Sequence, residues 1–188
     1  PDNSMELESL METETRDDSL PRTINEASEL YRTRLPIGYA RTCDCPPSHL
    51  NCMTAKEWIK SQLGVWQFNY EGRDIRDKNL HPATFPISLA KRAIEMFTHE
   101  GELVLDPFVG SGTTLVAAQD LNRNAVGFDL QAAYIRLCQD RLASSNFFNH
   151  SQQLAIHDDA LNIDQYLEPL AVKLILTSPP YANLLNRR

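Results

Sequence analysis

The sequence predicts an α/β fold built on a small parallel sheet. Two short, largely apolar runs, Leu103-Val104-Leu105 and Val172-Lys173-Leu174-Ile175-Leu176, each open into a polar loop rich in turn residues. Segments with helical spacing alternate with these and with weaker strand-like runs. Such alternation means parallel strands joined by right-handed crossovers. The expectation is about four parallel strands with flanking helices.

Taken in order, residues 1–25 are acidic and poor in large apolar groups, which predicts a disordered tail. Residues 26–79 read as an N-terminal extension. A short helix is expected after Asn25 and before Pro36, then a loop over Cys43–Cys52 around Pro46-Pro47. Thr54 is an N-cap candidate, and Glu57 three residues on completes a capping box, which predicts a helix over 54–63. Trp58, Ile59, Leu63 and Trp66 would form its apolar side. Beyond the polar stretch Glu71–Asn79, residues 80–188 read as the core domain. His81-Pro82-Ala83-Thr84-Phe85-Pro86 is a rigid turn into a helix over Ile87–Thr98, with Ile87, Ala90, Ile94 and Phe97 on one face. Strands are expected at Glu102–Asp106, Ala125–Asp129, Leu154–His157 and Val172–Thr177. Helices over Thr113–Leu121 and Ala132–Ala143, and a short turn segment, join them.

The net charge of −7 is uneven. Residues 1–20 hold seven acids against Arg16 alone, leaving the rest of the chain about −1. That balance neither demands nor excludes a nucleic-acid partner, and it argues against a strong phosphate-binding surface. No apolar run nears the roughly 20 residues of a membrane span, and no h-region follows the first residues, so the expected location is cytoplasmic. Four cysteines in such a chain argue against a disulfide framework. Three cluster as Cys43-x-Cys45-x3-His49-x2-Cys52. Sulfur and imidazole suit zinc, but the spacings are tighter than common zinc patterns. A metal knuckle and a Pro-rich loop with reduced thiols both stay open, and no metal is assigned to the chemistry.

If strands one to three run outward, strand four lies on the other side of strand one. Ligands sit at that switch, outside the carboxyl ends of the strands. The loops Asp106-Pro107-Phe108-Val109-Gly110-Ser111-Gly112-Thr113 and Ser178-Pro179-Pro180-Tyr181 would then flank one crevice. The glycines let backbone approach a ligand, Asp106 can accept from a ligand amino group, and Asp129 ends strand two where a carboxylate commonly grips ribose hydroxyls. The third glycine of a dinucleotide fingerprint is absent at Leu115, and no Gly-Lys-Ser/Thr run exists for a triphosphate. An acid before the glycine loop suits a cofactor with an amino group, such as S-adenosyl-L-methionine. In the second loop, Ser178 Oγ and the Pro179 carbonyl can accept from an exocyclic base amine, and Tyr181 offers a face to an unstacked base. Prolines fix the carbonyl's aim.

With these motifs in order, the chain resembles the N4-cytosine/N6-adenine DNA methyltransferase family, over about residues 80–181. Asp106–Thr114 resembles its cofactor-binding motif I, Asp129 motif II and Asp159 the motif III acid near the adenine ring. His81, Pro82, Thr84 and Phe85 fall in a segment similar to motif X. Ser178, Pro179, Pro180 and Tyr181 resemble catalytic motif IV. The resemblance implies a Rossmann-like class I methyltransferase fold, here partial, and methyl transfer to a flipped base in double-stranded DNA, as in restriction-modification. Serine at the first position of motif IV leans toward N4-cytosine over N6-adenine. The family's fold has seven strands, whereas this chain runs through the fourth, so target recognition is expected from a further segment or a second chain. Residues 1–188 alone are expected to show weak activity or none. C5-cytosine methylation needs a Pro-Cys nucleophile, and no cysteine here follows a proline. RNA or protein-amide methylation, and a non-enzymatic fragment or subunit, are the competing readings.

Overall fold

The computed structural model describes residues 34–76, 84–144 and 150–179. The expected acidic tail, the helix before Pro36, His81-Pro82 and Pro180-Tyr181 lie outside the described residues in whole or in part. In chain order the elements are α1 (Ala55–Ser61), α2 (Gly72–Arg76), α3 (Ile87–Phe97), β1 (Leu103–Asp106), α4 (Thr113–Asp120), β2 (Asn124–Phe128), α5 (Ala132–Ala143), β3 (Gln153–Ile156), a 3-10 turn (Ala160–Asn162), α6 (Ile163–Tyr166) and β4 (Val172–Ile175). No helix among the described residues is long and apolar enough to cross a membrane.

The four strands form one parallel sheet in the order β3-β2-β1-β4. The chain therefore winds outward from β1 to β3 and returns to β1's other side, as expected. β1 and β2 pair Leu103 with Asn124 through Asp106 with Gly127. The β1–β4 ladder shifts register between Leu103 and Val104, leaving Lys173 unmatched in the β4 ladder.

Side-chain alternation along the strands divides the core between two faces. Val104 and Ala125 meet Ile87, Ala90 and Ile94 of α3, Leu115–Ala118 of α4, and Ile135 and Cys138 of α5. Leu103, Leu105, Val126 and Phe128 face the other way, toward Leu35, Ile37, Ile156, Tyr166 and Leu167. Phe128 and Tyr166 pack edge to face at 5.3 Å.

Residues 34–42 are extended chain in which Leu35 and Ile37 alternate into the core, with the Leu35 N–H donating to Tyr166 O at 2.8 Å. Three expectations need correction. The "polar stretch" after Glu71 holds α2, whose Asp74 is buried and accepts from the Ile87 N–H at 2.9 Å, capping α3 where Pro86 has no side chain to do so. Phe97 stays 47% exposed while Met96 is buried, where the Asn51 amide donates to Met96 O at 2.5 Å. In α1 the capping box forms as read, yet Ile59 and Leu63 remain 70% and 67% exposed. Trp66 packs instead on Phe68 at 6.0 Å and under Arg92 at 6.0 Å.

Candidate functional site

Acids stand at the carboxyl ends of three neighbouring strands. Asp106 closes β1, Asp129 follows β2, and Asp158-Asp159 follow β3. Beyond β1 on the other side, β4 ends at Ile175 and runs through Leu176 and Thr177 into Ser178-Pro179. The Leu176 N–H donates to Leu105 O at 3.0 Å, and Thr114 Oγ1 donates to Leu176 O at 3.4 Å. The glycine loop and the start of the Ser178 loop thus share one edge of the sheet. Ser178 is half-buried and Pro179 exposed.

The glycine loop is held from both sides. Val109 N–H donates to Phe128 O, and Gly112 N–H to Val109 O, each at 2.8 Å. Gly112 has φ 85°, and an added Cβ would lie 2.3 Å from Cys138 Sγ. Its glycine is therefore required by the approach of α5 as well as by the turn. Ser111 is buried: its carbonyl and Oγ both accept from the Arg141 guanidinium, at 2.8 and 2.9 Å, and Thr113 Oγ1 lies 3.3 Å from it. Arg141 sits in the last turn of α5, where nothing in the local sequence marks it as the support of a loop thirty residues away. Phe108 is 44% exposed on the rim, and Leu130, next to Asp129, is 67% exposed.

The acids differ in what holds them. Asp129 accepts from the Gly110 N–H at 3.1 Å with one oxygen and from the Gln131 N–H at 2.8 Å with the other. Asp159 caps the 3-10 turn through the Leu161 N–H at 3.0 Å, and Asp158 takes the Tyr166 hydroxyl at 2.5 Å. Asp106 is 2% exposed, accepts the Phe108 N–H at 3.1 Å, and has no cationic side chain paired to it among the described residues. Burial pushes its carboxyl above the usual aspartate range, and nearby Asp129 adds to the rise. The hydroxyls of Thr114 and Thr177 and the Phe108 N–H pull it back in part. Of these, the Phe108 N–H makes a hydrogen bond of ordinary geometry to Asp106, whereas Thr177 Oγ1 makes none among the described residues.

Thr84 and Phe85 precede α3, half-buried, with the Thr84 carbonyl accepting from Tyr70 OH at 3.0 Å. Phe85 packs on the core that also receives Leu174 and Leu176. Thr84 Oγ1 and Ser88 Oγ are buried without a partner among the described residues. A mixed-charge groove of about 560 Å³, lined by Cys52, Glu57, Arg92, Glu100 and Arg123 among others, lies at the opposite edge and shares no residue with this site.

Residues 12–140 match the sequence profile of the N6/N4 methyltransferase family, described as DNA methylase. The chain belongs to that family. The matched stretch includes the glycine loop and Asp129 and stops before Asp159 and Ser178. With this membership, the β3-β2-β1-β4 sheet is part of a Rossmann-like class I methyltransferase fold. Among similar DNA methylases, the type II methyltransferase M.HpaI of Haemophilus parainfluenzae is 39% identical over 43% of this chain and 26% of its own length. M.BglI of Bacillus subtilis is 38% identical over 46% of this chain and 24% of its own. The chain thus spans about a quarter of the length of these curated relatives. The Thermus thermophilus protein TTHA0409, solved in complex with S-adenosyl-L-methionine, is 29% identical with a TM-score of 0.45, covering 65% of this chain and 46% of that one.

Proposed function

We propose that this chain carries the S-adenosyl-L-methionine site, and the beginning of the base-amine site, of a cytoplasmic DNA methyltransferase that modifies the N4 amine of cytosine in double-stranded DNA. The observation that carries the reading is the strand order, which puts the Asp106–Thr113 loop and the Ser178 loop side by side at one edge. The donor set suits the cofactor. A buried carboxylate without a cation is costly, and the ammonium of a methionine moiety would relieve Asp106. Asp129, already aimed by two backbone N–H groups, keeps lone pairs for ribose hydroxyls. Phe108 and Leu130 supply exposed apolar surface for an adenine ring, with Asp159 as its polar neighbour, and the Thr84 hydroxyl, buried without a partner among the described residues, can bond the methionine end.

When bound, S-adenosyl-L-methionine supplies an electrophilic methyl group on sulfur. The chain's own part is to hold the base amine against it. An exocyclic amine is a poor nucleophile because its lone pair is delocalised into the ring. Ser178 Oγ and the Pro179 carbonyl accept its two N–H bonds and localise the lone pair toward the methyl. Pro180 fixes that carbonyl's aim, and Tyr181 stacks on the flipped base. No covalent enzyme intermediate is required. Type II relatives support a restriction-modification setting, with target recognition supplied by a further segment or a second chain.

The test is mass spectrometry of nucleosides from DNA treated with the chain in its natural context and S-adenosyl-L-methionine. N4-methylcytosine is the expected product. N6-methyladenine would reassign the target base, and the absence of any methylated amine would refute the reading.

A further inference from the structure

Three of the four cysteines meet a histidine at the amino-terminal edge of the sheet, away from the site above. Cys43, Cys45, Cys52 and His99 each place one ligand atom so that all four lie within 4.8 Å of one another. Cys43 Sγ and Cys52 Sγ are 3.3 Å apart, and each is 3.4 Å from His99 Nδ1. With Zn–S near 2.3 Å and Zn–N near 2.0–2.1 Å, a tetrahedral zinc sets ligand-to-ligand edges of about 3.6–3.8 Å. The Cys43, Cys52 and His99 atoms lie within about 0.5 Å of that spacing, and Cys45 completes a set in which no two ligand atoms are more than 4.8 Å apart. His49, the histidine closest in sequence, is not part of it.

The backbone is bent to deliver these atoms. Leu50 and Met53 exchange two hydrogen bonds of 2.8 Å, closing a two-residue turn in which Asn51 (φ 52°) and Cys52 (φ 70°) are both left-handed. Such turns ordinarily put glycine at the second position. A side chain there is strained and persists where something offsets the strain. Cysteine is held at this position with its sulfur aimed into the cluster. Glu100 N–H points at Cys52 Sγ (3.5 Å), and the Arg41 guanidinium grips the carbonyls of Cys43 and Cys45 at 3.2 and 2.7 Å. Thr42 N–H donates to Glu100 O at 2.8 Å, over Gly101, where an added Cβ would meet Thr42 at 2.5 Å. The two ligand-bearing segments are therefore pinned together independently of any ion.

We propose that Cys43, Cys45, Cys52 and His99 form a closed zinc site that clips the N-terminal segment to the base of the sheet. Three thiolates and an imidazole favour zinc over magnesium or calcium, which take oxygen ligands. Four protein ligands leave no position for a reacting water, so the ion is structural. On binding, three thiols give their protons to solvent as three Zn–S bonds form, and neutral His99 donates its Nδ1 lone pair.

The chain, purified under reducing conditions without chelator, should contain about one zinc per molecule by elemental mass spectrometry. That content should fall about tenfold or more in Cys45→Ser and in His99→Ala, and stay unchanged in His49→Ala. Co(II) titrated into the metal-stripped, unmutated chain should give the intense visible bands of a tetrahedral thiolate site, whatever the fate of the variants. A chain without zinc and without that cobalt spectrum overturns the proposal. So does equal metal loss in His49→Ala and His99→Ala, or a Cys43–Cys52 disulfide found in place of the metal.

Discussion

A carboxylate at 2% exposure, with Asp129 near it and no paired cation among the described residues, raises the free energy of the folded chain. Asp106 titrates above the usual aspartate range in the folded chain, so the folded state holds its proton at pH values where the unfolded chain has lost it. The stability linked to that proton is fully present below the ordinary aspartate value and is lost as pH rises through the raised one. Asp106→Asn removes the charge and keeps the shape. At neutral pH the variant should melt higher than the parent in the absence of cofactor, and the gap should close as pH falls. The same variant should lose most of the stabilisation by S-adenosyl-L-methionine, which for the parent is about 2.7 kcal/mol at a hundred times Kd. Thermal melts of both proteins with and without cofactor check this, and a variant that melts lower yet keeps the cofactor shift would contradict it.

At the scale of elements, α3 is fastened by side chains from elsewhere. Asp74 caps its first turn, and the Arg123 guanidinium bonds Thr98 Oγ1 and Thr98 O at 3.2 and 2.9 Å just past its last. Asp120, the last residue of α4, joins Lys91 of α3 and Arg73 of α2 at 2.6 and 2.8 Å. Burial tends to raise the Asp120 carboxyl, but the hydrogen bonds from Arg73 and Lys91 outweigh it and hold it below the usual aspartate range. Its stabilisation is present above that range and lost as pH falls through the depressed value. Asp120→Asn should lower stability by about 1 kcal/mol near neutral pH, with no difference left in strong acid. Denaturant melts across pH measure it, and an equal loss at every pH would contradict it.

These fastenings also mark what the sequence could disclose. The Thr54–Glu57 capping box was legible because its partners are three residues apart. Strand ends differ by a residue or two because a ladder ends where its neighbour does. The apolar spacing around Ile59 and Leu63 shows which side of α1 is oily, and says nothing of whether any element covers it. Arg141 under Ser111, Asp74 over Ile87 and His99 beside Cys52 are contacts across 30, 13 and 47 residues, set by packing alone.

Viewed whole, the described residues set two clusters of chemically reactive side chains at opposite edges of one sheet. Thiols and an imidazole gather at the amino ends of the strands, where the N-terminal segment is fixed. Acids, glycines and the Ser178 loop gather at the carboxyl ends, where the chain returns from β3 to the far side of β1. Hydrogen–deuterium exchange with and without S-adenosyl-L-methionine tests the shared cleft most directly. Added cofactor should slow exchange in peptides covering 106–114, 129–131 and 176–178 together, and leave 43–53 and 99–101 unchanged. Protection confined to one of the two loops, or appearing at the cysteine edge instead, would contradict the account.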